Sequence, residues 1–133
     1  MRAALWVLLV CCGLLAGCSG DAGTGPSPVL VTDRFSGTLA PSGTSRHLFT
    51  VASPGGDVDV TLVSVGPPAT ISIGVGIGTP NGEACDVAIG VTTPAGPSPQ
   101  VLGSAGPGTY CVVVADVGNL ISEVSYSLTV THP

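Results

Sequence analysis

A chain of 133 residues is long enough for one domain. Only 8% of its residues are charged, lysine is absent and the formal net charge is -5, so the surface repels phosphate backbones and nucleic acid is excluded as an expected partner. An apolar fraction of 44% excludes a disordered chain, and the high counts of Gly (20) and Pro (12) favour short strands joined by turns over long helices.

The first segment carries one positive charge, Arg2, and then an almost unbroken apolar run from Ala3 to Leu15. That run is too short, and too soon followed by Gly, Ser and Asp, to span a bilayer permanently. It has the layout of a secretory signal peptide. Its end, Leu15-Ala16-Gly17-Cys18, resembles the lipobox of bacterial lipoproteins at all four positions. The resemblance implies a diacylglyceryl group on the Cys18 thiol, cleavage before it, and acylation of the new N-terminus by a chain such as palmitate. One acyl chain binds a membrane only marginally, at about 0.8 kcal/mol per buried methylene, but several on one cysteine hold firmly. The competing reading is an ordinary signal peptide cut at a small residue, with Cys18 a plain thiol. Cys11 and Cys12 fall inside the apolar run and would be discarded with it. Ser19 follows the cysteine, and by the same resemblance a residue other than Asp there directs a lipoprotein to the outer membrane in a host with two membranes. The expected location is therefore the bacterial cell envelope, with the membrane as a partner through Cys18.

Three segments follow: residues 1–17 as signal peptide, 18–28 as a flexible lipid-anchored tether, and 29–133 as the domain. The tether, ending in Ser-Gly-Asp-Ala-Gly-Thr-Gly-Pro-Ser-Pro, has no large apolar residue to bury. Beyond it the period is two. Phe35, Gly37 and Leu39 share one side of a strand; His47, Phe49 and Val51 share the next. Val58, Val60 and Leu62 point inward with Asp57 and Asp59 outward. Ile71, Ile73, Val75 and Ile77 alternate most clearly, then Val87, Ile89 and Val91, then Tyr110, Val112 and Val114, and finally Tyr126, Leu128 and Val130. Turn clusters rich in Gly and Pro separate these runs, with the longest loop expected from Pro94 to Gly108. Such spacing predicts an antiparallel sandwich or barrel.

Two cysteines, Cys85 and Cys111, remain in the domain. Export places them in an oxidising compartment, where a structural disulfide is expected. A metal or redox site would call for a CxxC pair or nearby histidines, and the sequence has neither.

Taken in order, Phe35-Ser36-Gly37-Thr38-Leu39, Phe49-Thr50-Val51, Asp57-Val58-Asp59-Val60, Pro107-Gly108-Thr109-Tyr110 and Tyr126-Ser127-Leu128-Thr129-Val130 resemble the bacterial pre-peptidase C-terminal domain. The resemblance covers about Thr32 to Val130. It implies a jelly-roll-like β-sandwich of the kind found beside secreted proteases and other exported enzymes. Such domains are linked to secretion, to substrate or matrix binding and, in some members, to calcium. No enzyme is expected beside the domain here, and a cysteine pair is not general in that family.

Asp57 and Asp59 are the calcium candidates. Calcium takes six or more oxygens, so Asp86, Asp116 or Glu123 would have to join them, and solvated strand acids are the simpler reading. His47 and His132 are the domain's histidines. His47 reads as a half-exposed strand residue, and His132 sits beside the C-terminal residue, where chains are usually loose. There is no nucleophile elbow. Ser72, Gly74, Gly76 and Gly78 share the face opposite the isoleucines. That bare stripe means either close packing of the domain on itself or a docking surface. The favoured function is a non-catalytic, membrane-tethered module that binds a protein or polysaccharide or plays a structural role, without a cofactor. The alternatives are an envelope assembly or chaperone-like factor using a strand edge, and a secreted hydrolase with an unrecognised site around His47 or clustered acids. For the chaperone-like factor the glycine stripe should be open to solvent.

Overall fold

The computed structural model describes residues 25–133. The signal segment, Cys11, Cys12, Cys18 and most of the tether lie outside the described residues. Eight strands follow in chain order: β1 (Val31–Leu39), β2 (Thr44–Val51), β3 (Gly56–Gly66), β4 (Ile73–Asn81), β5 (Ala84–Thr93), β6 (Val101–Ala105), β7 (Gly108–Ala115) and β8 (Val124–His132). They form two four-stranded antiparallel sheets, ordered β1-β8-β3-β6 and β2-β7-β4-β5. This is the jelly-roll arrangement, so the expected antiparallel β-sandwich is what the chain forms.

The alternation along each strand decides what is buried. In the first sheet Phe35, Leu128 and Leu62 stand side by side across three strands, with Val130 beside Val60. In the second, Val75 pairs with Val114 and Ile77 with Val112. These two inner faces meet in one apolar core that also takes in Phe49, Val51 and Ile73. The outer face of the first sheet is hydroxyl-rich, with Ser64 bonded to Ser127 and Thr32 to Thr131 at Oγ–Oγ1-type distances of 2.6 and 2.9 Å.

Three expectations change. The supposed loop from Pro94 to Gly108 contains β6, whose inward positions after Val101 are only Gly103 and Ala105. The long loop shrinks to residues 94–100, and Gln100 ties it back to β3 through its side chain and backbone. Second, Val87 does not share a face with Ile89 and Val91. A bulge pairs Ile77 with Ile89 but Gly78 with Val87, so the extra residue, Ala88, turns Val87 to the outer face. Third, the C-terminus is not loose. His132 is 3% exposed and belongs to β8, and the Pro133 carbonyl accepts a bond from Ala52 N at 2.9 Å.

Candidate functional site

Apart from the acids, the candidate residues fall into three places. The first is the seam where β1 and β2 meet. Tyr126 is buried on β8, and its hydroxyl crosses between the sheets to donate to Ser45 Oγ at 2.6 Å. His47 Nε2 is 2.7 Å from the same hydroxyl. A phenol has one proton, so with that proton on Ser45 the imidazole must donate its Nε2–H to Tyr126. The His47 ring also stacks on Phe35, with centroids 4.7 Å apart. Gly37 makes the arrangement feasible: a Cβ there would lie 2.8 Å from the Tyr126 oxygen.

The direction of these bonds matters for chemistry. Ser45 accepts from Tyr126, and no base takes its proton in this network. An activated nucleophile needs the reverse polarity. The Ser45–Tyr126–His47 set therefore works as a strap between sheets.

Burial of the imidazole lowers the His47 pKa from its ordinary 6.5. A histidine whose folded pKa lies below its unfolded value binds more protons when unfolded, so stability is lost as pH falls below about 6.5. The melting temperature should accordingly drop on acidification from pH 7 to pH 5, and His47→Gln should make that drop shallower. Equal slopes in melting curves of the two proteins would contradict the assignment.

The second place is the other end of the same seam. His132 Nε2 lies 3.1 Å from Asp33 Oδ2, and its Nδ1 lies 2.9 Å from the Pro133 carbonyl oxygen. Phe49 packs against the ring at 5.2 Å. Both histidines are thus engaged between strands, and sequence signalled neither partner because the contacts join residues far apart in the chain.

The third place is the outer face of β4. The β4–β5 hairpin turns through a two-residue loop, Gly82–Glu83, with Gly82 at φ 59°, where a type II′ turn favours glycine. Beyond the Ala88 bulge the hairpin tip folds over the sheet. Cys85 is disulfide-bonded to Cys111 on β7, with Cα atoms 6.0 Å apart. Arg46 on β2, farther across, donates from Nη1 to the carbonyls of Gly82 at 2.8 Å and Ala84 at 2.9 Å. The expected disulfide therefore forms, and with Arg46 it pins the tip across three strands.

This fold-over explains the glycine stripe. The Asp86 carbonyl lies where a Cβ of Gly78 would stand, and the Val87 side chain comes within 2.7 Å of a Cβ built on Gly76. Both glycines are buried. The stripe is mainly self-packing, which counts against the chaperone-like reading that needed it open. Gly74 remains in a shallow trough of about 310 Å³ with Gly90, Val113 and Ala115.

The acids do not converge. Asp57 and Asp59 lie on the outer face of β3, opposite Ser104 and Leu102 of β6. Among the described residues no three His, Cys, Asp or Glu side chains come together as a metal ion would require. Asp86 accepts from Asn81 at 3.2 Å. Asp116 is committed to backbone: Oδ2 accepts from Ser42 N at 2.7 Å, and Oδ1 from the amides of Gly118, Asn119 and Leu120. These bonds, that from Ser42 foremost, lower its pKa below the ordinary carboxylate value. Asp116 is a loop clasp with no oxygen turned to a shared cation.

Comparison with known proteins finds no family model that matches the chain and no characterised relative of significant similarity.

Proposed function

We propose that the protein is a lipid-anchored, non-catalytic β-sandwich module of the bacterial cell envelope, with a binding or structural role. The observation that carries this reading is Leu15-Ala16-Gly17-Cys18 placed directly behind a charged start and an apolar run. The layout of the domain supports it. Residues 25–30 are exposed and precede β1, so twelve residues, 19–30, separate Cys18 from the first strand. Extended, they reach roughly 40 Å, enough to hold the domain clear of a bilayer surface. The histidines that a hydrolase would need are engaged in fastening one strand to another.

The likeness to the pre-peptidase C-terminal domain is part of the same proposal. What supports it is a physical role for its motif residues: Gly37 of the aromatic-x-Gly-x-Leu strand leaves room for the hydroxyl of Tyr126, which opens the Tyr-x-Leu-x-Val strand.

Replacing Cys18→Ser tests the anchor. Labelling of the protein by a palmitate analogue should disappear, and the domain should move from the membrane pellet to the soluble fraction. Labelling and membrane retention equal to those of the unaltered chain would overturn the reading.

A further inference from the structure

We propose that Asn81–Gly82, at the tip of the β4–β5 hairpin, is a site of spontaneous self-modification, at which the Gly82 backbone nitrogen attacks the Asn81 side chain and converts it to an aspartyl or isoaspartyl residue. The inference does not rest on membrane anchoring.

The chain has two asparagines, Asn81 and Asn119, and the structure holds them in opposite ways. Asn81 is the last residue of β4 and Gly82 the first of the turn, and both are exposed. A carboxamide is attacked by the nitrogen of the next residue when that nitrogen is unengaged and can swing toward it. Among the described residues no backbone group of the turns accepts a hydrogen bond from the Gly82 N–H. Gly82 has no Cβ to obstruct the approach, and no atom lies within 4 Å of where one would stand. At φ 59° it also moves among conformations that other residues resist. Arg46 holds the tip by the carbonyls of Gly82 and Ala84, which lie beyond the peptide that must rotate. Rotation gives up the last rung of the ladder, Asn81 with Ala84, and the ends of elements open most readily. The Asn81 side chain makes a single long bond, from Nδ2 to Asp86 Oδ2 at 3.2 Å.

Asn119 is the reference within the same chain. Its Nδ2 donates to the Ser72 carbonyl at 3.0 Å. The nitrogen that would attack it belongs to Leu120, whose side chain is buried and whose N–H donates to Asp116 Oδ1 at 3.1 Å. Nucleophile and target are both tied down there.

The reaction needs no oxidant and no cofactor. Hydroxide takes the proton of the Gly82 N–H, and the nitrogen bonds to Asn81 Cγ. The Cγ–Nδ2 bond breaks, and Nδ2 leaves as ammonia with a proton from water, which returns the hydroxide. The five-membered imide then takes up one water. Opening at Cγ gives an aspartyl residue; opening at the backbone carbonyl carbon gives isoaspartyl, with the main chain running through the former side chain. Either product sets a carboxylate where Nδ2 donated to Asp86, so a hydrogen bond becomes a like-charge contact. The isoaspartyl form also adds a methylene to the main chain beside a two-residue turn, a length that few backbone geometries close.

The full chain, purified with its disulfide intact and held at 37 °C at pH 6 and at pH 8, provides the test. Digests are mapped by mass spectrometry, and isoaspartyl sites are labelled by an isoaspartyl methyltransferase. Position 81 should convert at least tenfold faster than position 119, faster at pH 8 than at pH 6, with isoaspartyl the larger product. Asn81→Gln, whose longer side chain closes a ring less readily, should abolish the labelling. The proposal is overturned if Asn81 survives as fully as Asn119 at both pH values, if aspartyl is the sole product, as direct hydrolysis would give, or if labelling persists in Asn81→Gln.

Discussion

Replacing Cys85 and Cys111 together by alanine is expected to lower the stability of the domain by about 3.5 kcal/mol on the loop-entropy account of a cross-link. The bond closes a separation of 26 residues, which includes all of β6 and the turn into β7. For a domain of this size the loss corresponds to a fall in melting temperature of roughly 15 °C. The native state contributes in the same direction, because Cys111 is fully buried and alanine there leaves part of its volume empty. Arg46 would still hold the hairpin tip through the carbonyls of Gly82 and Ala84, so the sheet itself should persist. Urea denaturation of the oxidised and double-alanine proteins measures the difference. A loss below about 1 kcal/mol would mean that the hairpin is held by its hydrogen bonds and that the cross-link is incidental.

The second large effect belongs to Gly78. An added methyl would coincide with the backbone carbonyl of Asp86 and come within 2.8 Å of the Val87 Cα. Backbone cannot rotate aside as a side-chain end can, so Gly78→Ala must push the folded-over hairpin away from β4. We expect a loss of about 3 kcal/mol, at the upper end of overpacking effects. Gly74 lies two positions along the same face, and its nearest neighbours, the Ala115 carbonyl and Val117, are 3.4 and 3.5 Å from a built Cβ. Gly74→Ala should therefore stay within about 0.5 kcal/mol of the unaltered protein. Equal denaturation midpoints for the two variants would show that the hairpin does not lie against Gly78.

The contrast between these two glycines shows where sequence stopped being informative. Alternation alone identified the inward residues of β1, β2, β3, β7 and β8, because a strand buried on one side repeats its pattern every second residue. It missed β6, where the inward residues are Val101, Gly103 and Ala105 and the largest apolar side chain, Leu102, points to solvent. It misplaced Val87 because a single inserted residue reverses the facing of everything on one side of it. The cysteine pair was legible, since the expected export would leave two thiols little else to do. That the bond would fold a hairpin onto its own sheet was not, because the fold-over depends on Gly78 and the Ala88 bulge acting together. The seam was legible only as separate residues. Gly37, His47 and Tyr126 each stood on a predicted strand, yet their meeting is a matter of which strands cross, and that is set by the whole topology.

The pairing of β1 with β8 bears on when this domain can form. The first strand has no other partner in its sheet, and Val31 lies opposite His132. Of all consecutive strands, only β4 and β5 pair directly. Every other pairing must close a long stretch of chain before any contact repays the entropy, which places folding in the slow, millisecond-to-second regime of non-local β-proteins. A chain delivered N-terminus first therefore cannot complete its first sheet until its last strand has arrived. The same connectivity that makes the finished sandwich closed keeps the emerging chain open, and makes the nine residues of β8 the event on which folding waits.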